Sequence, residues 1–182
     1  MKTAIAFLAL STVVFASSGP PTVSLFTIKR TENANELHYE ARLNPKGLAT
    51  KDPIEVYWRM KAEDGHREEL NEIEKQMVYG IKVLKTTPAE VTFTLRPVKG
   101  RPIVVRRQGA AGAYGAKAFM TINNKEQELD RLFITTESSG IFPKVLKVEI
   151  FARPSVNGIA DIETFIPPER ARANASSPPK KE

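Results

Sequence analysis

In "ELHYEARLN", Glu36 to Asn44, apolar and polar residues alternate without a break. Leu37, Tyr39, Ala41 and Leu43 fall on one side, and His38, Glu40, Arg42 and Asn44 on the other. Successive side chains of an extended chain point to opposite faces, so a period of two specifies a strand with one buried and one wet face. The pattern recurs in "IEVYWRM", where Ile54, Val56, Trp58 and Met60 oppose Glu55, Tyr57 and Arg59. Trp58, the single tryptophan, is therefore predicted to sit in the core rather than to serve as a ligand platform. If this strand touches a ligand, Tyr57 and Arg59 make the contact.

Further strand patterns are "LFTIKR", "VTFTLR", "PIVVRRQ", "KAFMTIN", "LDRLFITTE", "KVLKVEIFAR" and "IADIETFI". They are separated by turn clusters such as "TENAN", "PKGLATKDP", "PVKGRP" and "NNKEQE". About nine short strands in one unit predict a mainly β, single-domain antiparallel sandwich or barrel over residues 19–166. A single surface helix is expected from about Arg67 to Val78. There Leu70, Ile73 and Met77 recur at helical spacing, Glu68 and Glu69 suit the first turn, and Gly80 stops it.

Residues 1–18 read as a secretory signal peptide. Lys2 precedes an apolar run from Ala4 to Phe15, and the small residues Ala16, Ser17 and Ser18 follow. The run is shorter than the roughly 20 apolar residues of a membrane span. Cleavage near Ser18 would leave a secreted or periplasmic product with no transmembrane segment. Its 164 residues, Gly19 to Glu182, contain no cysteine. A chain of that size can bury a core without disulfides even in an oxidising compartment. Residues 167–182, "PPERARANASSPPKKE", are proline-rich, charged and poor in bulky apolar groups, and are expected to be a disordered tail.

The formal charge is +6, but residues 19–166 carry 22 basic and 19 acidic side chains, a net of +3. That is an ordinary solvated surface, and with export it argues against a nucleic-acid partner. No cofactor and no metal is expected. There are two histidines and no cysteines, and His38 on a wet strand face and His66 in a turn read as solvated side chains. No G-x-S-x-G elbow is present. "GAAGAYGAK" lacks the Gly-Lys-Ser/Thr ending of a phosphate loop and runs into a strand pattern, so it reads as a hairpin loop. Two-acid hydrolysis needs only a pair of carboxylates at a set separation, and Glu40 with Glu55 is the best pair available. Basic residues gather at Arg96, Lys99, Arg101, Arg106, Arg107 and Lys117. On adjacent strands they would form one anion-binding patch.

"VYWRM", the helix start at Glu69 and Leu70, "MVYGIKV" with Tyr79 and Gly80, and the "PKV" entry at Pro143 to Val145 together carry a likeness. The chain resembles a family of small exported bacterial proteins known as a domain of unknown function, numbered four-eight-three-three, over about residues 24 to 167. The resemblance implies bacterial export and a single domain and supplies no activity.

The function expected is a non-catalytic binding or envelope-associated module. Its expected ligand residues are Tyr57, Arg59, Tyr79, Arg106, Arg107 and Lys117, and its partner class an anionic or saccharide envelope component, since aromatic rings and guanidinium groups suit stacking and bidentate hydrogen bonds. The alternatives are an envelope hydrolase using paired carboxylates and a carrier of lipid or another hydrophobe. A carrier would need a barrel with an unfilled apolar interior.

Overall fold

The computed structural model describes residues 20–110, 112–137, 144–155 and 158–168. The expected signal peptide, the tail beyond Pro168 and the whole "SSGIFP" turn lie outside these residues. Twelve strands are described, against about nine expected from turn spacing. They are β1 (Thr22–Arg30), β2 (Glu36–Asn44), β3 (Gly47–Leu48), β4 (Ile54–Arg59), β5 (Arg67–Glu69), β6 (Ile81–Thr86), β7 (Glu90–Leu95), β8 (Pro102–Gln108), β9 (Gly115–Ile122), β10 (Lys125–Glu137), β11 (Lys144–Ala152) and β12 (Ile162–Phe165). A π-helical turn spans Glu74–Val78 and a 3-10 turn Arg96–Val98.

The strands form one sheet in the order β5-β4-β2-β1-β10-β9-β8-β7-β6, with β11 and then β12 branching from β10. Every pairing is antiparallel except β1 with β10. β10 is long because it serves two halves of the sheet. Its residues Lys125–Glu128 pair with β9, while Thr27–Arg30 of β1 pair with Arg131–Ile134. The sheet curls over a single core. Phe26 of β1 stacks on Tyr39 of β2 at 4.6 Å and on Phe93 of β7, several strands away along the sheet, at 6.4 Å. No pairing closes β5 onto β6 among the described residues, so the curl stays open at that seam.

Alternation predicts this core well. Leu37, Tyr39 and Ala41 are fully buried, Val91 and Phe93 likewise, and Trp58 is 5 % exposed.

The segment between β5 and β6 departs from the helix expected over 67–78. Arg67–Glu69 are strand, laid against β4 with Arg67 opposite Arg59 and Glu69 opposite Tyr57. Helix begins only at Glu72. The reason lies in two competing anchors. The Arg67 guanidinium is held over the Tyr57 ring and bonded to Glu55 and Glu69, which draws the chain out along the open edge of β4. Asn71 then starts the helical turn by a reciprocal cap: its amide donates to Glu74 Oε2 at 3.0 Å, and its Oδ1 accepts from the Glu74 amide at 2.9 Å. Leu70 consequently drops into the core, and Ile73 is left 58 % exposed instead of continuing an apolar stripe. The Met77 side chain lies outside what is described.

Candidate functional site

The outward faces of β2 and β4 meet in a ladder that sets Glu36 opposite Arg59, His38 opposite Tyr57 and Glu40 opposite Glu55. Tyr57 lies on that face, as its position in the alternation requires, but it is covered rather than displayed. The Arg67 guanidinium lies 4.0 Å from its ring centroid, His38 stacks on it at 5.4 Å, and its hydroxyl donates to Glu40 Oε1 at 2.7 Å. Burial and the Glu40 bond both push the Tyr57 hydroxyl pKa up. Arg59 is half-buried and donates to the Gly65 carbonyl at 3.2 Å.

His38, expected in solvent, is instead mostly covered. Its Nε2 lies 3.4 Å from Glu36 Oε2 without hydrogen-bond geometry, and burial pushes its pKa down against the pull of Glu36. Glu36 is itself buried, between the Lys29 and Lys61 ammonium groups at 2.7 Å each. Burial pushes its carboxyl up, but the two lysines outweigh it and bring the pKa down to about 2.

Glu40 and Glu55, the expected acid pair, are direct cross-strand neighbours, which puts their Cβ atoms about 5 Å apart. The proximity is right for a two-acid site and the electrostatics are not. Burial raises the Glu55 carboxyl pKa, yet its bonds to Arg67 and to Arg42 prevail and lower it. A general acid needs the opposite shift.

The expected basic patch is dispersed by its partners. Arg106 of β8 and Lys117 of β9 do face each other in the ladder. Arg106, however, forks onto Glu126 at 2.7 and 2.8 Å and touches Glu90, while Lys117 pairs with Glu128 at 2.6 Å. Arg107 is exposed, with its guanidinium 4.8 Å from the Tyr114 ring. Arg101 is locked to Glu163 across the core end of the sheet. Tyr79 belongs to neither group. It is buried, meets Trp58 edge-on at 5.3 Å, accepts a hydrogen bond from Arg30 at 3.0 Å, and its carbonyl accepts the Tyr39 hydroxyl at 2.8 Å. The Arg30 guanidinium also lies 4.6 Å from the Trp58 ring, and Trp58 Nε1 donates to Glu74 at 3.1 Å. Trp58 and Tyr79 thus fasten the helical turn across the seam between β5 and β6.

Immediately beyond that seam lies a cleft of about 790 Å³. Its walls come from the helical turn, the start of β6, the junction of β7 with the 3-10 turn, and the end of β12 with Pro167 and Pro168. Four cations line it, Lys75, Lys82, Arg96 and Lys99, beside Phe165 and Ile81, and among the described residues no carboxylate does. Lys75 pairs with the exposed Glu72 at 3.1 Å. Lys82, Arg96 and Lys99 are exposed and make no ion pair with any described residue. The turn is held tight to the cleft at Gly80, where an added Cβ would fall 1.7 Å from the Lys75 carbonyl oxygen.

Arg96 and Lys99 belong to the basic group legible in the sequence, whereas Lys82 does not. Its sole sequence signal is position: it follows Gly80 in "GIKVLK", an edge strand without clean alternation.

The domain of unknown function DUF4833 matches residues 26–163. The chain belongs to this family. The match runs from β1 into β12 and so takes in nearly all of the curled sheet, the seam and the cleft lining except Phe165, Pro167 and Pro168. No curated protein and no solved structure matches the chain.

Proposed function

We propose that this domain is a non-catalytic binding module of the bacterial envelope, acting after export, whose ligand is anionic and seats in the cleft beside β6. One observation carries the reading. Arg106 and Lys117 are matched to the carboxylates of Glu126 and Glu128, and other surface cations such as Lys51 and Arg107 stand away from this cleft, but Lys82, Arg96 and Lys99 line one concavity with no ion pair to a described residue. Like charges gathered without counter-charges repel one another, and an anion relieves that repulsion as it binds. Phe165 and Ile81 add apolar surface for the uncharged part of such a ligand.

The hydrolase alternative has the Glu40 and Glu55 pairing in its favour and the ionised, doubly bonded Glu55 against it. A carrier would have to displace the Phe26, Tyr39 and Phe93 stack that fills the interior.

The test is a titration of the isotope-labelled protein with glycerol 3-phosphate at low salt, followed by amide chemical shifts. Shifts should centre on Lys82, Arg96 and Lys99 and disappear in the Lys82→Glu, Lys99→Glu double variant. They should survive in Arg106→Ala, Lys117→Ala, whose cations are already neutralised. Shifts centred on β8 and β9, or none at all, would overturn the assignment.

A further inference from the structure

The cleft does not stand alone on its surface. Among the described residues the exposed large hydrophobic side chains are Ile73, Val83, Leu84, Ile159, Ile162 and Ile166. Four of the six stand on the segments that line the cleft. Ile73 opens the helical turn that supplies Lys75, and Val83 and Leu84 follow Lys82 along β6. Ile166 stands between Phe165 and Pro167, both of which line the cleft, while Ile159 and Ile162 lead into and begin the strand that ends there. Single exposed apolar residues need no explanation, but four of them, Ile73, Val83, Leu84 and Ile166, on the segments that line one cationic concavity do.

A surface that pairs unmatched cations with projecting apolar side chains has the two properties a peripheral membrane contact requires. The cations meet anionic headgroups, and the apolar groups enter the boundary with the acyl chains. β6 is also an edge strand carrying a bulge between Val83 and Lys85, and a bulge together with Lys82 and Lys85 deters pairing with a partner strand. That leaves its apolar side chains better suited to lipid than to β-augmentation. Beyond Pro168 the sequence adds Arg170, Arg172, Lys180 and Lys181 against Glu169 and Glu182, a further net positive charge attached at the rim of the cleft.

We infer that the anionic ligand is presented by a lipid bilayer: the protein docks peripherally on an anionic membrane surface, with a headgroup phosphate in the cleft and Leu84 and Ile166 at the apolar boundary. This rests on the cleft being an anion site, and the experiment separates the two ideas.

Full-length mature chain is floated with phosphatidylcholine vesicles and with vesicles containing phosphatidylglycerol, in parallel with the glycerol 3-phosphate titration. Binding is expected only to the phosphatidylglycerol vesicles, weakening about fivefold for each cleft cation removed. The Leu84→Ser, Ile166→Ser variant should lose at least about tenfold in vesicle binding while its glycerol 3-phosphate shifts persist, because both side chains are exposed and contribute to the bilayer contact alone. Equal binding to both vesicle types, or none to either with glycerol 3-phosphate shifts intact, would overturn the membrane assignment and leave a soluble anion as ligand. No binding in either arm would overturn both.

Discussion

Replacing Glu36 by Gln removes the negative charge that Lys29 and Lys61 share, each at 2.7 Å. The Glu36 carboxyl falls from an ordinary 4.5 to about 2 in the folded chain. One pKa unit corresponds to about 1.4 kcal/mol, so the ionised form contributes on the order of 3 kcal/mol. With the side chain only 7 % exposed, solvent screening removes little of this. The sign follows from the depressed folded pKa. As pH falls the unfolded chain takes up the proton first, so the stabilisation is complete above about 4.5 and is lost between there and about 2.

The assay is urea unfolding followed by far-UV circular dichroism, from about pH 7 to about pH 2.5, on the wild type and on Glu36→Gln. The variant should be less stable by about 2 to 3 kcal/mol at neutral pH, slightly under the full value because Lys29 and Lys61 are half-exposed and resolvate. The gap should close as the wild type is protonated. His38, whose pKa is also lowered from 6.5, makes stability fall in the same direction from a higher pH, and does so more strongly in the variant, where the Glu36 charge that opposes the lowering is gone. Stability curves that stay parallel across the acid range, or equal stabilities at neutral pH, would refute the reasoning.

Trp58→Ala should cost about 3 to 5 kcal/mol, since it opens a cavity under Tyr79 and leaves Arg30 and Glu74 without their ring and indole partners. Unfolding is followed by circular dichroism because the only tryptophan is gone, and a loss below about 1 kcal/mol would place Trp58 outside the core. Gly80→Ala should cost about 2 kcal/mol or more and weaken glycerol 3-phosphate binding, because the methyl group would drive the Lys75 carbonyl away from the wall of the cleft. An unchanged melting temperature with unchanged binding would show that the turn does not shape the cleft.

Much of this fold can be read from alternation, because a period of two survives wherever one sheet face is buried. The apolar sides of "ELHYEARLN" and "VTFTLR" are the core of the sheet. Alternation failed at accessibility on the other face. Tyr57 and His38 are on the wet side by periodicity and covered in the fold, because Arg67 from a strand not legible in the sequence lies over the Tyr57 ring and His38 stacks on that ring. The helix starts later than its composition suggests for a related reason. "REEL" has helical composition, but β4 offers it an unpaired edge, and the decisive start signal was the shorter Asn71 to Glu74 cap. The basic cluster looked contiguous along the chain and is dissected in space, because charge balance depends on which carboxylates the ladder brings opposite.

The sequence by itself determined the mainly β class, the single unit and the burial of Trp58, because these follow from local periodicity and from the free energy of removing apolar side chains from water. The tertiary structure decided which cations remain unmatched. Arg106 and Lys117 lose their availability to Glu126 and Glu128, strand neighbours fixed by register, while Lys82, Arg96 and Lys99 come from segments separated in sequence and meet at the end of the curled sheet with no carboxylate among the described residues that line the cleft. Long-range pairing sets that outcome, and no pattern of neighbouring residues encodes it.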